Sequence, residues 1–218
     1  FSLAIGLIVF GFYSDRAGRV RMIQFSLLGS ILPFILIPMT NSFVILLILR
    51  FLQGFALAGL PAAAVAYIIE EVDNKSSGFA VATYIASNAL GGMVGRGVTG
   101  YVAGMYAWQI AFYLLAGIGL LIFFFLFFLL PRSRFFEPAR EPFSRDIKNL
   151  LSHLGNRSLI PTFLLGLILQ LSFTGVWTYV PFYLQEPSFS LPLQTISWFY
   201  LTYAFGVIGA QESRIRSK

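Results

Sequence analysis

Apolar residues run along this chain in long blocks, and short polar stretches separate them. Five blocks reach the roughly 20 apolar residues that a bilayer-spanning helix needs: Met22–Thr40, Phe43–Ile69, Gly78–Gly104, Trp108–Leu130 and Ser158–Leu184. Two more are shorter. The first ends at Tyr13 and reads as the end of a helix; the last runs over Leu193–Gly209. Pro33 and Pro38 lie inside the first full block, where membrane helices tolerate proline if neighbours re-satisfy the freed carbonyls. Asp146–Leu154 has the spacing of a short amphipathic helix and includes His153, which reads as a solvated side chain. The pattern predicts an all-α, polytopic transmembrane bundle.

The polar stretches alternate in charge. Residues 14–21, 70–77 and 131–158 hold 10 of the 15 lysines and arginines, whereas 41–42, 105–107 and 185–192 hold none. Residues 131–158 alone carry Arg132, Arg134, Arg140, Arg145, Lys148 and Arg157. Basic residues beside spanning helices stay on the cytoplasmic side, so the first set is expected inside. Trp108 sits where an interfacial anchor belongs. The chain opens without a methionine or a basic flank, so no signal peptide is read there. Gln211–Lys218 abruptly replaces an apolar pattern, which reads as a fragment or a shifted reading frame.

Composition narrows the class. The 218 residues are 57% hydrophobic and 11% charged, against roughly 25% charged in a soluble domain. The net charge of +6 comes from basic residues at the ends of apolar runs. It does not form the stripe with stacking aromatics that nucleic acid requires, so no nucleic-acid partner is expected. There is no cysteine, and one histidine with scattered acids makes no metal site at a familiar spacing. No nucleophile–base pair or phosphate loop occurs either. The reading is therefore not an enzyme, with no catalytic residue, metal or cofactor.

Between the first two apolar runs stands Gly11-Phe12-Tyr13-Ser14-Asp15-Arg16-Ala17-Gly18-Arg19-Val20-Arg21, read as a short turn. Its spacing, Gly-x-x-x-Asp-Arg-x-Gly-Arg, resembles the loop between helices 2 and 3 of major facilitator superfamily transporters. Val20 departs from the family, which more often has a basic residue there; Arg21 follows one place later. The resemblance implies two six-helix halves of inverted three-helix repeats joined by a cytoplasmic linker. On that count the chain covers part of helix 2 through helix 8. Residues 1–130 are the amino-terminal half, 131–158 the linker, 159–210 the start of the carboxy-terminal half, and 211–218 an aberrant polar tail. It also implies a gating role for Gly11, Asp15, Arg16, Gly18 and Arg19, in which the loop stabilises the outward-facing state. The plain alternative is a solvated turn whose charges only set topology. Glu70 and Glu71, at the end of the next-but-one block, are the candidate gating partners for Arg16 or Arg19.

Further candidates lie within the spans. Arg50 falls about seven residues into its block, at hydrocarbon depth, where an arginine must face protein or water. It either serves a cavity or snorkels to the outer interface. Arg50-x-x-Gln53-Gly54 resembles the family's helix 4 motif, implicated in proton transfer. Arginine does not deprotonate, so its role would be to tune an acid or hold an anion. Asn88 opens a stretch with Gly91, Gly95 and Gly100 at packing intervals. That stretch resembles the family's antiporter motif, with Arg96 where proline is expected and Thr99 where a glycine is expected. Arg96 is placed at nearly the depth of Arg50, which suggests a positively charged cavity. Gln170, Phe173, Thr174, Trp177 and Pro181 recur at helical spacing; Gln170 and Thr174 are candidates for substrate contact, with plain helix packing as the alternative.

Together these features lead to a secondary active transporter of the bacterial inner membrane. It would export a small organic solute by alternating access, with protons as coupling ion, as a monomer in the lipid bilayer. Gly54, Gly91, Gly95 and Gly100 would pack helices. Arg50, Gln53, Asn88, Arg96, Gln170 and Thr174 would line the cavity. The alternative is a truncated, transport-inactive membrane fragment or interaction element.

Overall fold

The computed structural model describes residues 1–131, 133–136, 138, 152, 157 and 159–200. Eight α-helices account for most of them: α1 Ser2–Ala17, α2 Arg19–Leu36, α3 Phe43–Leu57, α4 Gly59–Glu71, α5 Asn74–Met105, α6 Trp108–Leu129, α7 Ile160–Gln185 and α8 Leu193–Phe199. A single 3₁₀ turn, Ile37–Met39, extends α2, and no strand occurs among the described residues. The predicted helix over 146–154 with His153, the residues after Tyr200 and the basic residues 132, 140, 145 and 148 lie outside the described residues. Four segments are long and apolar enough to cross a membrane: Arg19–Met39, Phe43–Glu71, Trp108–Leu129 and Ile160–Gln185. Helix α5 has ample length, but its glycines, Ser87, Asn88 and Arg96 make it less apolar than these four.

The charged turns are far shorter than their polarity suggests. Helix α1 continues through Asp15 and Arg16 to Ala17, and α2 starts at Arg19. Only Gly18 breaks the ladder, at φ +101°, a conformation costly for any residue with a Cβ. Between α4 and α5 only Val72 and Asp73 are non-helical. The expected loops over 14–21 and 70–77 are therefore corrected to mostly helical segments. Polarity marks where a helix leaves the lipid, not where its hydrogen bonds end.

The block Phe43–Ile69 is corrected in the other direction, from one helix to two. It breaks at Ala58, three residues before Pro61. Pro61 has no N–H to offer the carbonyl four residues earlier, and Ala58 N–H turns to Phe55 O at 3.2 Å instead. Ser26 Oγ on α2 donates to Ala56 O at 2.5 Å, so a neighbouring helix helps satisfy the broken ladder.

Helix α2 forms the centre, packed on α3, α4 and α6, while α1 lies on α3 and α4. Its buried side presents Met22, Ile23, Leu27 and Ile31 to Ala63 of α4 and Ala116 of α6. In lipid such packing depends on close approach rather than on apolar burial. The small residues supply that approach. A Cβ on Gly6 would come within 2.6 Å of Ala58 Cβ, and one on Gly59 within 2.4 Å of Met22 Cε. Helix α7 buries none of its residues among the described ones.

Candidate functional site

The helix ends at one face of the bundle converge on Arg19. Arg19 as a whole is 9% exposed. Its Nη2 donates to Glu70 Oε1 at 2.7 Å, and its Nε reaches Oε1 at 3.1 Å and Oε2 at 3.3 Å. Nη1 donates to the buried Ser14 Oγ at 2.9 Å and to Asp15 Oδ1. The ring of Phe136 lies 5.6 Å from Arg19 Cζ. One cation therefore joins the end of α1, the start of α2 and the end of α4. The forked geometry is what makes Arg suited to hold two carboxylates at once. The close break at Gly18 sets Asp15 and Arg19 four residues apart across the joint, within reach of each other.

Of the gating candidates, the structure gathers Asp15, Gly18, Arg19 and Glu70. Arg16 instead donates from Nη1 to Phe12 O at 2.8 Å, within its own helix. Gly11 has no described heavy atom within 4 Å of where a Cβ would sit. Glu71 is directed elsewhere: it accepts from the N–H of Arg134 at 2.6 Å and of Phe135 at 3.3 Å. Its pairing with Arg16 or Arg19 is thus corrected. Glu71 follows Glu70 on a helix, so the two carboxylates point about 100° apart, and only one can face Arg19. Tyr67, one turn earlier, adds a second tie to the same stretch by donating to Pro131 O at 3.0 Å.

The two intramembrane arginines have different neighbours. Arg50 donates to Gln53 Oε1 at 3.0 Å and lies 4.8 Å from the Phe112 ring centroid on α6. Phe112 in turn packs edge-on against Trp108 and Phe34. Arg50 is thus held under an aromatic group at the uncharged end. Gln53 is 6% exposed, and its Nε2 has no acceptor among the described residues. Arg96, on α5, lies within electrostatic reach of Tyr200. The side chain of Arg50 extends toward Phe112 of α6, whereas the neighbour of Arg96 is Tyr200. Asn88 is exposed on α5. Gln170 Nε2 donates to Thr174 Oγ1 at 3.3 Å, and both are exposed on α7. Trp177 stacks on Tyr200 with centroids 5.5 Å apart.

Helix α5 meets α8 at the uncharged end. Gln194 Nε2 donates to Gly104 O at 2.6 Å, and Tyr101 packs edge-on against Trp198 at 6.2 Å. A Cβ on Gly100 would meet Ser197 Oγ at 2.4 Å, and one on Gly104 would meet Gln194 Cγ at 2.9 Å and Gln194 N at 3.1 Å. The glycine candidates therefore divide. Gly100 packs against α8, and Gly54 against Ser2, whose Oγ would be 2.4 Å from its Cβ. Gly91 and Gly95 have nothing within 4 Å of an added Cβ among the described residues. The working seam is Gly97, Gly100 and Gly104, one helical face displaced toward the end of α5. Gln194, Ser197, Ser14 and Tyr67 also act here without having been singled out. Their residue types are common in turns and helices, and only the three-dimensional pairing distinguishes them.

Comparison with known proteins completes the site. The family model of the Major Facilitator Superfamily matches residues 1–215, which includes most of the polar run that begins at Gln211. The chain is 32% identical over 214 residues to an uncharacterised transporter of Buchnera aphidicola subsp. Schizaphis graminum, covering 98% of this chain and 52% of that protein. It is 34% identical over 208 residues to the uncharacterised MFS-type transporter YybF of Bacillus subtilis, covering 95% and 52%. It is 29% identical over 184 residues to the multidrug resistance protein MdtG of Proteus mirabilis, covering 84% and 45%. The chain spans about half the length of these curated relatives.

Proposed function

The chain belongs to the Major Facilitator Superfamily, and from that premise we propose that it forms the working amino-terminal part of a secondary active transporter. The transporter moves a small organic solute out of a bacterial cell by alternating access, with protons as coupling ion. It lies in the inner membrane with the Arg19 end in the cytoplasm, where the arginines hold it. The observation that carries this reading is the contrast between the two ends of the bundle. At the uncharged end α5 is packed onto α8, which on this reading belongs, with α7, to the second half of the protein. At the charged end, Arg19 spends its hydrogen bonds on Asp15, Ser14 and Glu70, all within α1, α2 and α4. Among the described residues, one end thus carries a contact between α5 and α8, while the Arg19 contacts at the other lie within α1, α2 and α4. That is the arrangement a rocking carrier needs in its inward-open state. The efflux direction draws on the likeness to MdtG, a multidrug resistance protein.

The test is substrate-induced proton movement in inverted membrane vesicles carrying this chain extended to the length of its relatives. The panel holds sugars, organic anions and lipophilic cations. Proton release from acidified vesicles on adding one compound supports antiport and names the substrate class. Solute movement without proton movement would overturn the coupling. No movement of any compound would overturn the efflux reading for these three classes.

A further inference from the structure

A cleft of about 760 Å³ opens at the charged end, between the start of α2 and the residues that follow α6. Its walls include Arg21, Gln24, Phe127, Phe128, Ser133 and Phe136. Two polar groups in it are uncommitted. Ser133 Oγ is buried without a hydrogen-bond partner among the described residues. Arg21 is exposed, and its side chain takes no hydrogen bond or ion pair among the described residues. Arg19, in the same wall, is already occupied by Glu70 and Asp15. Those two acids are therefore held away from Arg21, and Glu71 is held by the backbone beyond α6. The cleft offers a free guanidinium and a free hydroxyl to a group that can accept from both.

Below the cleft the surface is apolar. Residues 21, 25, 28, 32, 36 and 39 follow one another at intervals of three and four, so they form one face of α2. Phe25 is 69% exposed, Leu32 58% and Met39 67%. The opposite face, with Met22, Ile23, Ser26 and Ser30, is buried. Phe128 of α6 is 78% exposed beside the cleft. Arg21 is thus the single charged member, placed at the polar end of a stripe that otherwise suits acyl chains. A phosphate needs a fork of donors, and a guanidinium supplies it.

We infer that this cleft binds the headgroup of an anionic phospholipid, with the phosphate on Arg21 and Ser133 and an acyl chain along the Phe25–Leu32 face. A zwitterionic headgroup brings its own ammonium toward Arg21 and is disfavoured. The site rests on reading the charged end as lying at the membrane surface, but it requires no transport, so its failure is separable from that of the carrier reading.

Detergent-purified protein, given equal amounts of phosphatidylglycerol and phosphatidylcholine, is assayed for retained lipid by native mass spectrometry. The wild type is expected to prefer phosphatidylglycerol about fivefold, the worth of one basic residue at an anionic surface. Arg21→Gln is expected to lose that preference and Arg21→Lys to restore it. Ser133→Ala is expected to lower the retention of phosphatidylglycerol by about half, the effect of one hydrogen bond to the phosphate at a partly wet site, and to leave the preference unchanged. An unchanged preference in Arg21→Gln overturns the proposal. Displacement of the lipid by inorganic phosphate at equal concentration also overturns it, in favour of a soluble anion. If Arg21→Gln does not elute as folded protein, Ser133→Ala and Phe128→Ala decide: no loss of phosphatidylglycerol in either overturns the site.

Discussion

The two ends of this bundle hold helices together by opposite means. At one end a buried arginine draws three helix termini onto two carboxylates and a hydroxyl. At the other, α5 and α8 approach through Gly97, Gly100 and Gly104, with a single side-chain hydrogen bond from Gln194. The charged joint is strong if intact and costly if broken, because a desolvated ion must keep its partner. The glycine seam stores little energy in any one contact. It can part and re-form without exposing an unpaired charge. On the proposed alternating-access reading, the second kind of contact suits halves that close and open repeatedly, and the first kind suits the inside of one half.

The sharpest way to break this contrast is Arg19→Ala. It leaves Glu70 and Asp15 without their cation, and we expect a loss of about 2–4 kcal/mol, toward the lower side of what a fully buried pair loses because Glu70 is partly exposed. Unfolding in detergent, followed by circular dichroism, measures it. Arg19→Lys keeps the charge but not the fork, and should recover only part of the loss. Destabilisation below about 0.5 kcal/mol, the range of ordinary surface substitutions, would mean the joint is only a surface ion pair. The next effect belongs to the seam. Gly104→Val places new atoms against the Gln194 backbone and should cost about 1–3 kcal/mol. It should also lengthen the α5–α8 distance, read by spin labels on introduced cysteines; the chain has no native cysteine to interfere. A smaller effect is expected from Glu71→Ala. It frees two exposed N–H groups, so hydrogen exchange at Arg134 and Phe135 should rise about tenfold with stability falling about 1 kcal/mol.

The sequence makes the charged end more legible than the seam, for a physical reason. Asp15, Arg16, Arg19, Glu70 and Glu71 are conspicuous against apolar neighbours, so ion-pair partners can be guessed by sign and by which end of a span they occupy. Choosing between Glu70 and Glu71 needs the helical phase of α4, which Pro61 resets at Ala58. The depth of Arg50 and Arg96 follows from counting residues, but their directions do not. A long side chain can turn from the cavity toward α6, and here the Phe112 ring receives it. Four of the five full-length apolar blocks match segments apolar enough to cross a membrane, the block over 78–104 does not, and the pattern places the joints too wide. Charged residues such as Asp15 and Arg16 are adequate helix formers, and only Gly18 adopts the left-handed φ that forces a stop.

The least legible feature is which glycines of α5 work, and it gives the finest test of the comparison. Motif spacing draws attention to Gly91, Gly95 and Gly100 together. A glycine in a helix interior costs roughly 0.5–1 kcal/mol relative to alanine, so each must be repaid by a contact or it is a standing loss. Gly100 and Gly104 are repaid by α8. Gly91 and Gly95 have no such neighbour among the described residues. Gly91→Ala and Gly95→Ala should therefore leave this chain as stable as before, or raise stability by about 0.5 kcal/mol each. Gly100→Ala should lower it, because the Ser197 side chain must give up its hydrogen bond to Leu193 O to make room. If all three substitutions destabilise equally, Gly91 and Gly95 have partners elsewhere. The seam would then extend over the whole of α5, and the contrast between a strong charged joint and a weak local seam would no longer hold.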